Sequence, residues 1–495
     1  MSRLLSDPRL RIGAVVAAMA VLAGLGLVTH PGKADTRVEA AAAKEPARTV
    51  VNRTALACPV LGPGGKMTSV VSAVSPILPE GTATSAGAAD PLSIAPLPTT
   101  SGPVGSLLKR GTIGSSPVAT KPVPLSIQGA GPLAAGTVGT STTTAPDGEV
   151  NRGMASVPCQ LPGSDFWFVG ASGASDRRDV LVLTNLDTIN AEVNVSVYSR
   201  AGAADLPAAR GIVVPARGTQ EVYLRQVAPN LRDVALHVES TGGRVAAAVR
   251  SNASAGTKPT GVDWLNTSAA PAKMVFVPAV APGGGGRILS IANPTDLQAT
   301  ASLTINGPNG PFKPAGLETV AVPAGTVRSI SLDKVLNGDA SAITINSDQP
   351  VTAAMRATDA SQSEFSSIGS AEALAGPAYL VLPAHQQPVV LQVTAPGKTG
   401  SVKFELHDAA GRALVTRALD VLNGATTPIS FPAQPRPTYL MVQQTRGTVV
   451  AGVTLMPAAK PAKDDVPQVA AWPLSTSLVF RAQLGAQPDV SAALR

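Results

Sequence analysis

Few side chains in this chain could do chemistry, and their spacing decides what they can be for. Histidine occurs four times, at His30, His237, His385 and His407, and cysteine twice, at Cys58 and Cys159. A structural zinc site takes about four nitrogen or sulfur ligands at short intervals, and no such interval occurs here. His407-Asp408 is an imidazole beside a carboxylate, but a catalytic triad is defined by geometry, and in a Ser/Thr-rich chain a nearby hydroxyl is expected by chance. The pair reads as polar residues beside the Ala410-Gly411 turn. Glu239, Glu318, Glu364 and Glu372 lie scattered, without the paired carboxylates of glycoside hydrolysis. Asp464-Asp465 lacks the further oxygen ligands that calcium needs and falls in a Pro/Ala/Lys linker. Gly397-Lys398-Thr399 resembles the end of a phosphate-binding loop, but position 392 is Gln where that loop needs Gly, and no helix follows. Gly283 to Gly286 likewise reads as a hairpin loop and not a dinucleotide fingerprint. Neither a Gly-x-Ser-x-Gly elbow nor a His-Glu-x-x-His pair is present. The sequence therefore names no catalytic, cofactor or metal residue, and the chain is expected not to be an enzyme.

Sugar binding is the stronger rival, because lectin-type sandwiches stack aromatic faces on sugar rings. Trp167 and Trp264 are the positions to watch. In Phe166-Trp167-Phe168, alternation turns the tryptophan away from its neighbours, as a ligand platform or as an anchor at an interdomain seam, and the seam is the favoured reading.

The elements that must position these residues are read from the N-terminus onward. Ile12 to Val28 is an unbroken apolar and Gly stretch, preceded by Arg3, Arg9 and Arg11 against one Asp7. Its length lies at the low end for a bilayer span and above a usual signal-peptide core, and the flanking arginines keep its start cytoplasmic. An uncleaved transmembrane anchor is favoured over a signal helix cut before Asp35. Either way the rest of the chain is placed outside the cytoplasm. There the two cysteines read as a disulfide, set against free thiols or an intermolecular bridge. Each follows a Val-Asn-Arg stretch, so the bond is expected to staple the N-terminal region to the first repeat. Net charge is +7, but residues 1–50 hold seven Lys/Arg and four Asp/Glu, leaving 32 against 28 over the remainder. That balance is no nucleic-acid footprint.

Internal repeats carry the fold. Val180-Leu-Val-Leu-Thr-Asn185 matches Ile288-Leu-Ser-Ile-Ala-Asn293, Pro215-Ala-Arg-Gly218 matches Pro323-Ala-Gly325-Thr, and Val245-Ala-Ala-Ala-Val-Arg250 matches Val351-Thr-Ala-Ala-Met-Arg356. A fainter copy runs from Val389 to Val453. In Glu192-Val-Asn-Val-Ser-Val-Tyr198 every second residue is apolar, the period of a strand with one buried face. Gly and Pro together make 91 of 495 residues, and aromatics are 3%, which suits short strands and many turns. The fold class is all-β: tandem immunoglobulin-like sandwiches of about seven strands, with a β-propeller as the alternative. The expected order is a cytoplasmic start at 1–11, the apolar helix at 12–28, and a linker at 29–49. A divergent β-rich domain with a Ser/Thr/Pro/Gly-rich insertion follows at 50–158. It is weighed against an extended stalk. Repeats then occupy 159–258, 259–362 and 363–457, and 458–495 is a linker with capping strands.

Phe166-Trp-Phe-Val-Gly170 after Cys159, Asp263-Trp264, and the Val-x-Ala-Ala-hydrophobic-Arg endings resemble an uncharacterised actinobacterial family of secreted or membrane-anchored proteins. Single repeats are similar to a widespread bacterial extracellular sandwich. The third copy departs from the pattern, with Ala395 for the turn Asn and Thr454 for the closing Arg. The resemblance implies an envelope location and transfers no activity. The expected function is a non-catalytic envelope interaction or structural protein, single-pass in the cytoplasmic membrane and meeting an envelope protein or wall polymer. A glycan-binding module is the alternative, and a hydrolase the third reading.

Overall fold

The computed structural model describes residues 48–62, 65–82, 90–99, 101–456 and 468–482. The apolar segment 12–28, His30 and Asp464-Asp465 lie outside them. Among the described residues no helix is long and apolar enough to cross a membrane. The chain divides into two units, 1–49 with 482–495, and Val50–Arg481. The second unit is built as follows.

Strand formation starts from alternation. Ala191–Ser199 buries Ala191, Val193, Val195 and Val197 and turns Glu192 and Ser196 to solvent. Its turn is set by one side chain. Asn185 donates from Nδ2 to the carbonyls of Ile189 (2.7 Å) and Val214 (3.2 Å), and its Oδ1 accepts the N–H of Asp187 (2.9 Å). Asn293 repeats all three bonds with Leu297, Val322 and Thr295. A buried amide satisfied on both sides fixes the loop and with it the register of the flanking strands. The Pro-Ala turns close on a left-handed residue, Arg217 (φ 48) in one copy and Gly325 (φ 66) in the next.

Four such units follow one another, each with eight strand positions in two sheets; in the two middle units the fourth position is split, into Gly202–Ala204 and Ile212–Val214 and into Gly310–Phe312 and Thr319–Val322. In the first, strands Arg53–Cys58, Leu125–Ala130, Leu92–Pro96 and Gly105–Leu107 pair in that order, and Ile113–Ser115, Thr68–Val74, Val138–Ala145 and Gly153–Pro158 form the second sheet. The strand order is thus 1-6-3-4 against 5-2-7-8. The last unit repeats it: Pro377–Leu382, Thr438–Arg446, Gly400–His407 and Ala413–Val421 face Thr426–Phe431, Val389–Thr394, Val450–Leu455 and Ala470–Pro473. The two middle units follow the same order. In the third, Ser341–Thr358 runs as one long strand from one sheet into the other. Each unit has its own apolar core shared by both sheets.

Three expectations change. Each unit has eight strand positions, and the eighth strands Lys258–Leu265 and Phe365–Gly369 complete the units before them. Residues 81–124 supply three strands of the first sandwich. The Cys58–Cys159 disulfide does not join two units. Cys58 ends the first strand and Cys159 follows the eighth, and both sulfurs lie in the core of the same sandwich. The bond thus closes the first unit on itself, because first and last strands lie in opposite sheets facing that core.

The four units close into a ring. The 1-6-3-4 sheet of each packs its outer face on the 5-2-7-8 sheet of the next. Ala55, Ala57 and Leu97 meet Leu186 and Ala246, and Val169, Ala235 and Tyr198 meet Ala292, Val327 and Ala354. Asn306 of the third unit exchanges bonds with Gly424 and Thr426 of the fourth. Val381 and Tyr439 of the fourth return to Val74, Ile113 and Val138 of the first. The four eighth strands lie beside one another in cyclic order around the axis. A head-to-tail contact closes when the rotations sum to a full turn, and here it closes within one chain.

Candidate functional site

The axis gathers several buried charged side chains of the described residues. At the start of the eighth strands, Glu364 Oε1 accepts the N–H of Val262 from the preceding unit (3.0 Å) and that of Phe365 (3.1 Å). Its carboxylate lies against Gly153 of the first unit and Gly261 of the second, so any Cβ at either would stand within about 2 Å of a carboxylate oxygen. Three units thus meet on one side chain. Arg152 donates to the Ser363 carbonyl and to Asp147 Oδ1 (2.7 Å for the latter). One turn of the strand away, Asp263 Oδ2 accepts the N–H of Ser367 (2.9 Å). Burial pushes both carboxyls well above the usual carboxylate range, Glu364 with Asp263 adding to the effect and Arg152 opposing it. Arg356 lies 3.9 Å over the Phe365 ring, and burial brings its guanidinium down to about 9. Arg177 is held by Asp179 (3.1 Å) and Ser251 (2.6 Å). Asn266 bridges two neighbours, donating to the carbonyls of Ser367 and Ala471.

Trp264 and Trp472 are seam residues, and Trp167 is buried against side chains of its own sheet. Trp167 is 5% exposed, stacked on His237 with centroids 4.1 Å apart, and beside Tyr198 at 5.8 Å. Trp264 packs with Leu61, Met67 and Val157 of the first unit. Trp472 donates from Nε1 to the Ser156 carbonyl (3.2 Å) across the ring. Their faces are covered by protein.

The remaining sequence candidates are placed as follows. His407 Nε2 faces Glu405 (2.9 Å), its Nδ1 faces the Gly411 carbonyl (3.3 Å), and its ring stacks on Tyr439. Asp408 pairs with Arg412. Gly397 occupies a strand-to-strand turn at φ 98. The Gly283–Gly286 loop encloses a cation: Arg287, 3% exposed, donates to the carbonyls of Ala281, Pro282, Gly283, Gly286 and Thr358. Gly285 has φ 106, and a Cβ there would meet the Thr358 carbonyl oxygen at 2.2 Å, so the cage needs glycine. Glu239 joins Asp165 around His237, the one group of three potential metal ligands among the described residues. Each imidazole nitrogen there already faces a carboxylate, at 3.2 and 3.5 Å. Sequence reasoning missed Arg152, Asp263 and Glu364 as an organised set, and missed the separate cage of Arg287. The closing Arg at 250 and 356 was the available signal.

Buried polar and charged groups where several units meet, with tryptophans covered by neighbouring units, define a class of protein: a single-chain ring of β-sandwiches with a polar centre. The chain belongs to a family described as Family of unknown function (DUF5719), whose model matches residues 112–432, from the first sandwich into the fourth. No curated protein matches it.

Proposed function

We propose that this protein is a non-catalytic structural or interaction module of the cell envelope. It is tethered at the outer side of the cytoplasmic membrane by residues 12–28 and presents the ring to an envelope protein or wall polymer. The observation that carries the reading is the use of the chain's reactive side chains. Among the described residues, His407 pairs with Glu405, Glu364 accepts backbone N–H groups, Trp167 stacks on His237, and Trp472 donates to the Ser156 carbonyl. A reacting centre would instead hold such groups open to a substrate. The apolar N-terminal stretch supports the location.

Fractionation of cells with N-terminal sequencing tests it. The expected result is membrane-bound protein with its encoded start, cleaved only by protease added outside the cytoplasmic membrane. A mature chain beginning at Asp35 would convert the tether to secretion, and protein confined to the cytosol would overturn the reading.

A further inference from the structure

The four units differ at one equivalent strand position that faces a seam. On the second strand's neighbour in the 5-2-7-8 sheet, the second and third units place Arg250 and Arg356, cross-strand from Val180 and Ile288. Arg250 reaches Gly62 of the first unit, and Arg356 covers Phe365 near Arg177 of the second. Asn151 and Asn252 add a bond across the first of these seams (2.7 Å). In the fourth unit the position is Thr454, and Gln392 fills that seam by donating to Thr454 and to the Val280 carbonyl. In the first unit it is Thr142, cross-strand from Val70, and its hydroxyl is turned to Ser156 (2.9 Å). Near this strand the first sandwich and Gln386 of the fourth line a cleft of about 780 Å³, with Thr144 in its wall.

That volume falls in the range of small-ligand sites, roughly 300–1,000 Å³. The cleft has an apolar floor, Met67 and Met154, both buried. Its rim carries Lys66 and Lys121, both exposed, and its walls carry threonine hydroxyls and the amides of Gln386 and Gln468. None of the lining residues among those described is acidic, and Glu149 lies against Gly65 at one edge. Two cations above hydroxyl and amide groups, with no aromatic platform, match a ligand that is hydroxyl-rich and negatively charged.

We propose that this cleft binds an anionic glycan, sugar units bearing carboxylate or phosphate groups, with Lys66 and Lys121 pairing its charges. The inference rests on the envelope reading only in taking a wall polymer as the source of that glycan. The test uses the full chain in detergent, titrated calorimetrically with oligogalacturonate, with a mannose-phosphate oligomer, and with neutral maltohexaose, at low and high salt. Binding of at least one anionic oligomer is expected, lost at high salt and weakened roughly tenfold or more by K66E/K121E. The carboxylate and phosphate arms decide between the two kinds of charge. Both lysines are exposed, so the melting temperature of the variant should match the parent and show that folding is intact. Equal binding of maltohexaose, unchanged binding by the variant, or binding of no probe overturns the proposal. A cytosolic protein that still binds the anionic oligomer would sink the envelope reading and leave the cleft standing.

Discussion

Glu364 joins three of the four sandwiches, so its removal should be felt across the ring. In Glu364→Ala the N–H groups of Val262 and Phe365 lose their shared acceptor. Each buried donor left unpaired costs about 1–3 kcal/mol, which places the substitution at about 2–6 kcal/mol. Glu364→Gln keeps an amide oxygen for both donors and should cost far less, while removing the titration. In the unfolded chain this carboxyl titrates near its ordinary 4.5, and in the ring burial raises it well above that. The folded state therefore holds the proton more tightly. The stability it contributes is complete below about pH 4.5 and is lost as pH rises toward the folded value, each unit of elevation being worth about 1.4 kcal/mol. Asp263, raised for the same reason, acts in the same direction. His385 acts oppositely: burial lowers it, so its contribution is lost as pH falls through its ordinary 6.5 and below. Thermal melting of parent, Glu364→Gln and Glu364→Gln/Asp263→Asn across mildly acidic to mildly alkaline pH isolates the axial terms by difference. The parent should lose stability relative to Glu364→Gln as pH rises, and the double variant should be flatter still. Parallel pH profiles for parent and Glu364→Gln, or a parent that gains on the variant with rising pH, would refute the account.

Three further outcomes follow from the same geometry. Gly261→Ala, at φ 115 with its Cβ 2.0 Å from the Glu364 carboxylate, should lower the melting point sharply, and pairing it with Glu364→Ala should recover part of the loss; a simple sum of the two effects would remove the steric explanation. Reducing Cys58–Cys159, which closes a separation of 101 residues, should destabilise by up to about 4–5 kcal/mol in the chain-entropy model. Limited proteolysis should then cut first within the first sandwich, and even cutting through all four would count against an intra-unit staple. Residues 475–479 cross the closing seam, where Ser477 donates to the Pro377 carbonyl and the Leu478 and Val479 carbonyls accept from Gly136 and Val51. A chain ended after Leu474 should therefore exchange amide hydrogens faster at Val74, Val138, Val381 and Tyr439, and unchanged protection there would show that the segment is not a clasp.

The chain's order of residues determined its strands. Period-two alternation such as Ala191–Ser199 and the paired asparagines Asn185 and Asn293 fix local register, because a strand with one wet face and a turn locked by its own side chain need no distant partner. The repeated matches carried the all-β sandwich class, and the even cysteine pair in an expected oxidising compartment carried the disulfide. Closure of the ring was not legible. It depends on the outer faces of sheets, where small residues such as Ala57, Ala235 and Ala292 leave no sequence period to read. The same holds for the axial cluster. Arg152, Asp263 and Glu364 lie in different units, and nothing local links them. They meet because four eighth strands share one axis, and only there does burial raise the two carboxyls. The disulfide's partners were readable but its role was not, since whether it joins two units or closes one depends on which core receives the sulfurs. Trp167 likewise alternates away from Phe166 and Phe168 as the strand period dictates, yet only the tertiary structure stacks it on His237 beside Tyr198 and leaves it 5% exposed.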